Sequence, residues 1–162
     1  MAFALEFQIK AILCILGSMI LGGLIGIDRE MQGKAAGVRT HAFVAGAATL
    51  FSFLGEHLVF YYQAYHPDSQ VEIRPFDILQ AIVTGISFLG AGTILRDRGQ
   101  KIQGLTTAAS LLFTAGVGIA VAQNLWLLSC ALVLIAFVFL KAIGEWEERF
   151  KKRALVMKKE SS

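Results

Sequence analysis

The residues best suited to chemistry are concentrated in one short stretch, "GGLIGIDREMQGKAAGVRTHAFVAG", residues 22–46. Its ionisable side chains are Asp28, Arg29, Glu30, Lys34, Arg39 and His41. Carboxylates bind Mg²⁺ as hard oxygen ligands, commonly with water in between, so Asp28 and Glu30 are candidate metal ligands. Pairing with nearby arginines is the competing structural role. We expect these two carboxylates first to hold this part of the molecule together, and only secondarily to bind a ligand.

The remaining chemistry-bearing residues form no catalytic pattern. The segment "GKAAG" is not a phosphate-binding loop, because GxxxxGK[ST] would require Gly at 28 and Ser or Thr at 35. The three histidines, His41, His57 and His66, show no metal-ligand spacing with the cysteines. We therefore expect no enzyme activity and no cofactor other than Mg²⁺ at the carboxylates.

The elements that carry these residues are long apolar segments. The chain of 162 residues is 56% hydrophobic with a mean hydropathy of +0.62, whereas soluble domains are about 45–50% apolar. Apolar runs occur at 8–27, 41–60, 77–95, 105–122 and 125–143. Each is long enough to cross a hydrocarbon core of about 30 Å as a helix. The sequence predicts an all-α integral membrane protein with five transmembrane helices.

The connections between these runs alternate in basic content. Residues 28–40, residues 96–104 and the tail are rich in Lys and Arg, whereas residues 61–76 and the turn at 123–124 are poor. The positive-inside rule then places the N-terminus outside and the C-terminus inside. We predict a transmembrane domain at 1–144 and a charged cytoplasmic tail at 145–162, in a multi-pass bacterial inner-membrane protein. The net charge of +3 is explained by topology, so nucleic acid is not an expected partner.

An internal repeat relates the first and second pairs of spans. Residues 17–30, "GSMILGGLIGIDRE", align with 85–98, "GISFLGAGTILRDR", and after a one-residue gap 36–42 align with 103–109. Both halves run in the same membrane direction, which predicts two parallel-repeat helical hairpins plus a fifth helix. The triplet Asp28–Arg29–Glu30 corresponds to Arg96–Asp97–Arg98 with inverted charge. We predict that these triplets pair across the pseudo-twofold axis at the inner face.

Small and hydroxyl residues have packing roles in this arrangement. Gly22 and Gly26 have GxxxG spacing, which lets helix backbones approach closely in lipid. Hydroxyl residues start the second and fourth spans, where they can cap backbone N–H groups or bond across helices. They are Thr40, Thr106, Thr107 and Ser110.

Three ordered motifs, "GGLIGIDREMQGKAAGVRTH", "TGISFLGAGTIL" and "IQGLTTAAS", resemble those of the MgtC/SapB family of bacterial inner-membrane proteins. The resemblance covers residues 15–122 and implies about five membrane helices. Many members add a C-terminal cytoplasmic domain, and the sequence is similar to a short member without it. The motif residues carried over are Gly26, Asp28, Arg29, Glu30, Gly37, Arg39, Thr40, Gly85, Phe88, Gly90, Gly92, Gly104, Leu105, Thr106, Thr107 and Ala108. The chain departs from the family pattern at Asp77, Ala81, Ser87 and Leu112, where Arg, Gln, Gly and Trp are expected.

The resemblance implies a role in adaptation to low magnesium and, in pathogens, in virulence. The founding member is associated with restraint of the membrane ATP synthase. We therefore expect a non-enzymatic regulatory protein that lies in the lipid bilayer and contacts another membrane protein or complex. A second copy of the chain, in a homo-oligomer, is a further expected partner. The alternative is a small transporter or channel for Mg²⁺ or H⁺ that uses the repeat interface and Asp28, Glu30 or Asp77.

Overall fold

A computed structural model of the protein describes residues 2–66, 75–96 and 102–142. The helices are α1 (Ala2–Met31), α2 (Val38–Tyr65), α3 (Pro75–Gly92), α4 (Leu105–Ala122) and α5 (Trp126–Ala142). Two short antiparallel strands, β1 (Leu95–Arg96) and β2 (Ile102–Gln103), connect α3 to α4. The predicted five helices are confirmed. The orientation of the termini stays a prediction, and the proposed tail at 145–162 lies outside the described residues.

Several predicted boundaries were wrong. Helices α1 and α2 extend beyond 8–27 and 41–60, so Asp28–Glu30 belongs to the end of α1 and not to a loop. Helix α3 ends at Gly92 and not at residue 95, because Thr93 turns the chain: its backbone N and its Oγ1 both donate to the Gly90 carbonyl, at 2.9 and 2.7 Å. The strand pair that follows corrects the purely helical prediction.

The helices have the composition of a membrane protein. Leu5–Met31, Val38–Tyr65 and Leu105–Ala122 are long and apolar enough to cross a bilayer, and Phe76–Gly92 and Trp126–Ala142 are shorter apolar helices. Large apolar side chains cover the outside of the bundle. These exposed side chains suit contact with lipid, because lipid tails are as apolar as the side chains themselves.

Helix α4 lies at the centre and packs against each of the other helices. Leu111 and Ala115 meet α2 and α3 in one apolar cluster. A second cluster joins Val121 to α1 and α2, and a third joins Val117 to Ile25 of α1 and Val133 of α5. Short side chains at the buried positions of α4 let the other four helices pack against it, whereas Leu112 and Phe113 remain exposed.

The closest helix crossing joins α2 to α4. Gly118 lies so near α2 that a Cβ there would collide with the backbone carbonyl oxygen of Ala45. Thr49 fixes the same crossing, because its Oγ1 donates to the Ala45 carbonyl at 3.0 Å and to the Gly118 carbonyl at 2.8 Å. The glycine at position 118 thus brings the Thr49 hydroxyl and the backbones of α2 and α4 together in the buried interior.

The two hairpins repeat one glycine contact. A Cβ on Gly22 would lie 2.6 Å from the His41 carbonyl oxygen, and one on Gly90 would lie 3.3 Å from the Ala108 Cβ. Gly22 aligns with Gly90 in the sequence repeat, and position 41 aligns with position 108. Each hairpin therefore closes where a glycine of its first helix meets the start of its second helix.

The α2–α4 crossing predicts a contrast between two glycines of α4. Gly118→Ala should lower the free energy of unfolding by about 1–3 kcal/mol, the usual cost of overpacking, because its methyl group meets backbone. Gly116→Ala is the matched control, since nothing lies within 4 Å of a Cβ there. It should leave stability unchanged or raise it by about 0.5–1 kcal/mol through helix propensity. Thermal unfolding in detergent measures both, and equal losses would contradict the crossing described here.

Candidate functional site

The candidate site is the end of the bundle at which α1 ends and α2 and α4 begin. We call it the basic end and define it by the segments Asp28–Glu30, Gly37–His41 and Gly104–Ser110. Gly26 brings α1 to the start of α2: a Cβ there would lie 2.6 Å from the Val38 Cα and 2.7 Å from the Gly37 carbonyl oxygen. Because α1 has no side chain at this crossing, the residues that follow Gly26 are held against α2.

Arg29 is the buried charge of this end. Only 3% of the residue is exposed, and its Nε has no hydrogen-bond partner. It lies three residues after Gly26 and four after the buried Ile25, which places it on the face of α1 that packs into the bundle. The Asp28 carboxylate interacts electrostatically with this cation, and burying an ionised group is costly in protein interiors and in membranes. Arg29 is therefore the residue of the basic end that a purely structural role explains least.

His41 joins the two hairpins beside Arg29. The ring is fully buried, with Nδ1 2.9 Å from the Gly37 carbonyl oxygen and Nε2 3.2 Å from the Ser110 Oγ. The Ser110 hydroxyl also lies 2.8 Å from the Thr107 carbonyl oxygen. A neutral ring that donates from Nδ1 accepts at Nε2 from Ser110, whereas a charged ring would leave that hydroxyl to Thr107. The Arg29 cation lies within electrostatic reach of the ring.

The two candidate metal ligands have different surroundings. Glu30 Oε2 accepts a hydrogen bond of 2.8 Å from the backbone N–H of Val38, the first residue of α2. Asp28 Oδ2 accepts one of 2.7 Å from Gln32 Nε2 on the surface. Among the described residues no three His, Cys, Asp or Glu side chains come together as a metal site. The Glu30 carboxylate thus supports a helix N-terminus, where negative charge is favourable.

The predicted pairing between Asp28–Arg29–Glu30 and Arg96–Asp97–Arg98 stays a prediction. Arg96 belongs to β1, and Asp97 and Arg98 lie outside the described residues. Gly104 has the left-handed φ of +91° at the start of α4, and a side chain there would also collide with the Thr93 carbonyl. Glycine is thus required at this turn.

The other motif residues divide between the core and the surface. Thr107 is buried at the start of α4 and Thr40 is half-buried, whereas Thr106 and Arg39 are exposed. Gly85 and Gly92 on α3 have nothing within 4 Å of a Cβ, and Phe88 between them is 84% exposed. The motif of α3 therefore faces outward, except at Gly90.

Two carboxylates lie away from the basic end. Glu56 lines a cavity of about 380 Å³ between α2, α3 and α4, together with Gln63 and Gln123. Asp77 lies at a separate apolar groove of about 600 Å³ between α2 and α3. The structure does not bring Asp77 together with Asp28 or Glu30, which are at the opposite end of the helices.

Sequence reasoning named Ser110 as able to bond across helices, and it missed the equivalent contact of Thr49. Ser110 and Thr49 each bond to the helix opposite, and Thr107, Ser110 and Thr114 form one buried polar face of α4. Their spacing of three and four residues was a usable signal, because it repeats one face of a helix.

The chain matches the family model described as "MgtC family" over residues 15–149. It is 42% identical over 108 residues to the protein named MgtC of Salmonella typhimurium, which covers 67% of this chain and 41% of that protein. It is 36% identical over 121 residues to the putative magnesium transporter YhiD of Escherichia coli K12, covering 75% and 53% respectively. The chain spans about half the length of the curated relatives it matches, and no solved structure matches it.

The basic end predicts unequal roles for its two carboxylates. Glu30→Ala should lower the free energy of unfolding by about 0.5–2 kcal/mol, the usual cost of a lost N-terminal cap. It should also speed hydrogen exchange at the Val38 amide. Asp28→Ala is the comparison and should cost less, about 0–1 kcal/mol, because it removes a surface hydrogen bond and a partly exposed charge interaction with Arg29. Thermal unfolding and exchange in detergent measure both variants. A larger loss for Asp28→Ala would show that the wrong carboxylate has been assigned to the cap.

Proposed function

The chain belongs to the MgtC family, and we propose that it is a non-enzymatic membrane regulator of adaptation to low magnesium that works by contact with another membrane complex. The name of one relative, a putative magnesium transporter, supports the connection with magnesium but not a regulatory role. The regulatory role therefore depends on how the chain's own motif residues are used.

The observation that carries the proposal is the outward face of α3, formed by Ala81, Gly85, Phe88 and Gly92. These residues are spaced by three or four, so they lie on one side of the helix. All are exposed. Within membranes, small residues are favoured where another helix packs closely, yet nothing in the described chain uses Gly85 or Gly92 in that way. A transmembrane helix of another protein, with the ATP synthase as the partner complex that the family resemblance suggests, fits this face.

The departure at Ala81 lies on this face of α3, where it would change what the face binds. Ala81, which replaces an expected Gln, makes the face smaller and less polar. We infer that this member contacts its complex through close packing and not through polar side chains. A second copy of the chain is the other partner that could pack closely against this face of α3.

Transport of Mg²⁺ or H⁺ is the second candidate. The observation in its favour is the buried polar group of Arg29, His41 and Ser110, since ionisable groups within membrane helices commonly mark pathways. Against it, the hydroxyl groups are bonded to backbone carbonyls, and the carboxylates lie toward the ends of the helices. We therefore propose conduction only as the alternative.

The test uses two exposed aromatic or aliphatic positions on different helices. Phe88→Ala should abolish rescue of growth in low magnesium in cells that lack the chromosomal copy, while leaving protein level and thermal unfolding unchanged. Leu127→Ala is the matched control, because Leu127 is 86% exposed on α5 and lies outside the motif. A photo-crosslinking residue at position 88 should also give a crosslink that Gly85→Leu removes.

Growth and crosslinking together decide the outcome. A crosslinked partner that differs from the chain supports contact with another complex, whereas a crosslink to the chain itself supports self-association through the same face. Equal growth of the Phe88 and Leu127 variants, with no crosslink at position 88, would contradict the proposal, since α3 would then face only lipid.

A further inference from the structure

Helix α5 fills a junction between one helix of each hairpin. It packs where α1 meets α4, and Val133 forms one apolar cluster there with Ile25 and Val117. At the start of α5 the ring of Trp126 lies against Gly17, since a Cβ on that glycine would be 2.6 Å from a ring carbon. Helix α5 thus covers the junction of α1 with α4 and places an aromatic ring on a glycine.

The sequence repeat gives this junction an equivalent between α3 and α2, which also contact each other. In the register of the repeat, Gly17 corresponds to Gly85 and Val117 corresponds to Leu50. Nothing lies within 4 Å of a Cβ on Gly85. Leu50 is 39% exposed, whereas Val117 is fully buried. No helix of the described chain therefore covers the junction of α3 with α2 as α5 covers that of α1 with α4.

An apolar groove of about 600 Å³ runs along this second junction, and we call it the α2–α3 groove. Ala47 and Leu54 of α2 line one side, and Ala81 and Gly85 of α3 line the other. Of the described residues that line it, only Asp77 is polar, in the first turn of α3. A groove between two helices accepts the side chains of a third helix. An acidic side chain at one end of the groove favours a basic residue on that helix.

The direction of α5 indicates how such a helix runs. Trp126 starts α5 beside Gly17, and Phe139 near its other end lines a groove with Thr106 of the basic end. Helices α1 and α3 also run toward the basic end, so α5 is parallel to both. A helix that repeats this packing in the α2–α3 groove therefore runs parallel to α3.

We propose that a transmembrane helix of the partner complex packs in the α2–α3 groove, parallel to α3, as α5 packs against α1 and α4. The inference rests on the proposed function and specifies the chemistry of the partner. The helix carries a large aromatic residue that lies against Gly85, as Trp126 lies against Gly17. It carries Lys or Arg opposite Asp77, which precedes Gly85 by about two helical turns, or about 12 Å. Between these two points the walls are apolar, so the rest of the contact is close packing.

The test places the photo-crosslinking residue benzoyl-phenylalanine at Leu54, which lines the groove on α2 and is 53% exposed. In native membranes it should crosslink to the same protein as the residue at position 88. Gly85→Leu should lower the yield from Leu54 about tenfold, because its side chain fills the place of the aromatic ring. Ser87→Leu is the matched control, since Ser87 is exposed on α3 but does not line the groove. It should leave the yield unchanged.

The crosslinked peptide reports the chemistry of the partner. Mass spectrometry should identify a transmembrane segment with Trp, Tyr or Phe about two turns from Lys or Arg. Asp77→Asn should lower the yield from Leu54 about threefold, because it removes one charge of an ion pair near the membrane surface. All variants are compared at equal protein level and with unchanged thermal unfolding.

The outcomes separate this inference from the proposed function. A crosslink at position 88 without one at Leu54 would overturn the inference and leave the proposed function intact, because lipid would then fill the groove. A peptide from a second copy of the chain, or one without the aromatic and basic residues, would also overturn it. Absence of crosslinks at both positions would contradict the inference and the proposed function together.

Discussion

The structure depends on close backbone contact between helices at positions where one of the helices has a glycine. The α2–α4 crossing at Ala45 and Gly118 is the closest, and the Thr49 hydroxyl is shared between the two helices there. In lipid, where apolar surfaces gain little by meeting each other, such contacts supply the packing and hydrogen bonding that hold helices together. Because α4 is fixed against α2 in this way, α1, α3 and α5 can assemble around it.

The basic end follows from the same constraint. Because Gly26 has no side chain, α1 lies directly against the start of α2. The polar residues that follow Gly26 therefore pack against that helix. Glu30 does so at the Val38 N–H, whereas Arg29 points into the bundle and lacks a partner at Nε. The same glycine contact is thus followed by a hydrogen-bonded carboxylate at Glu30 and a buried cation at Arg29.

Much of the architecture could be predicted, because apolar length and the spacing of basic connections are properties of the sequence alone. Helix α4 was predicted with its observed bounds, because its apolar run is bounded by Gly104 on one side and by Gln123 and Asn124 on the other. The roles within Asp28–Arg29–Glu30 could not be separated, because they depend on α1 continuing four residues beyond its apolar run. The outward direction of Gly85 and Phe88 was equally hidden, since a glycine-rich motif packs as well inside a bundle as against a partner.

In the proposed function the protein works by contact and not by conduction, and a measurement of ion flux tests this most directly. The purified full-length chain would be reconstituted in liposomes, and Mg²⁺ and H⁺ flux would be compared with that of protein-free vesicles. We predict no flux above this background from chain that is verified as folded. Flux by the wild-type chain that is abolished in the double variant Asp28→Asn/Glu30→Gln would contradict this function. It would establish the chain as a transporter.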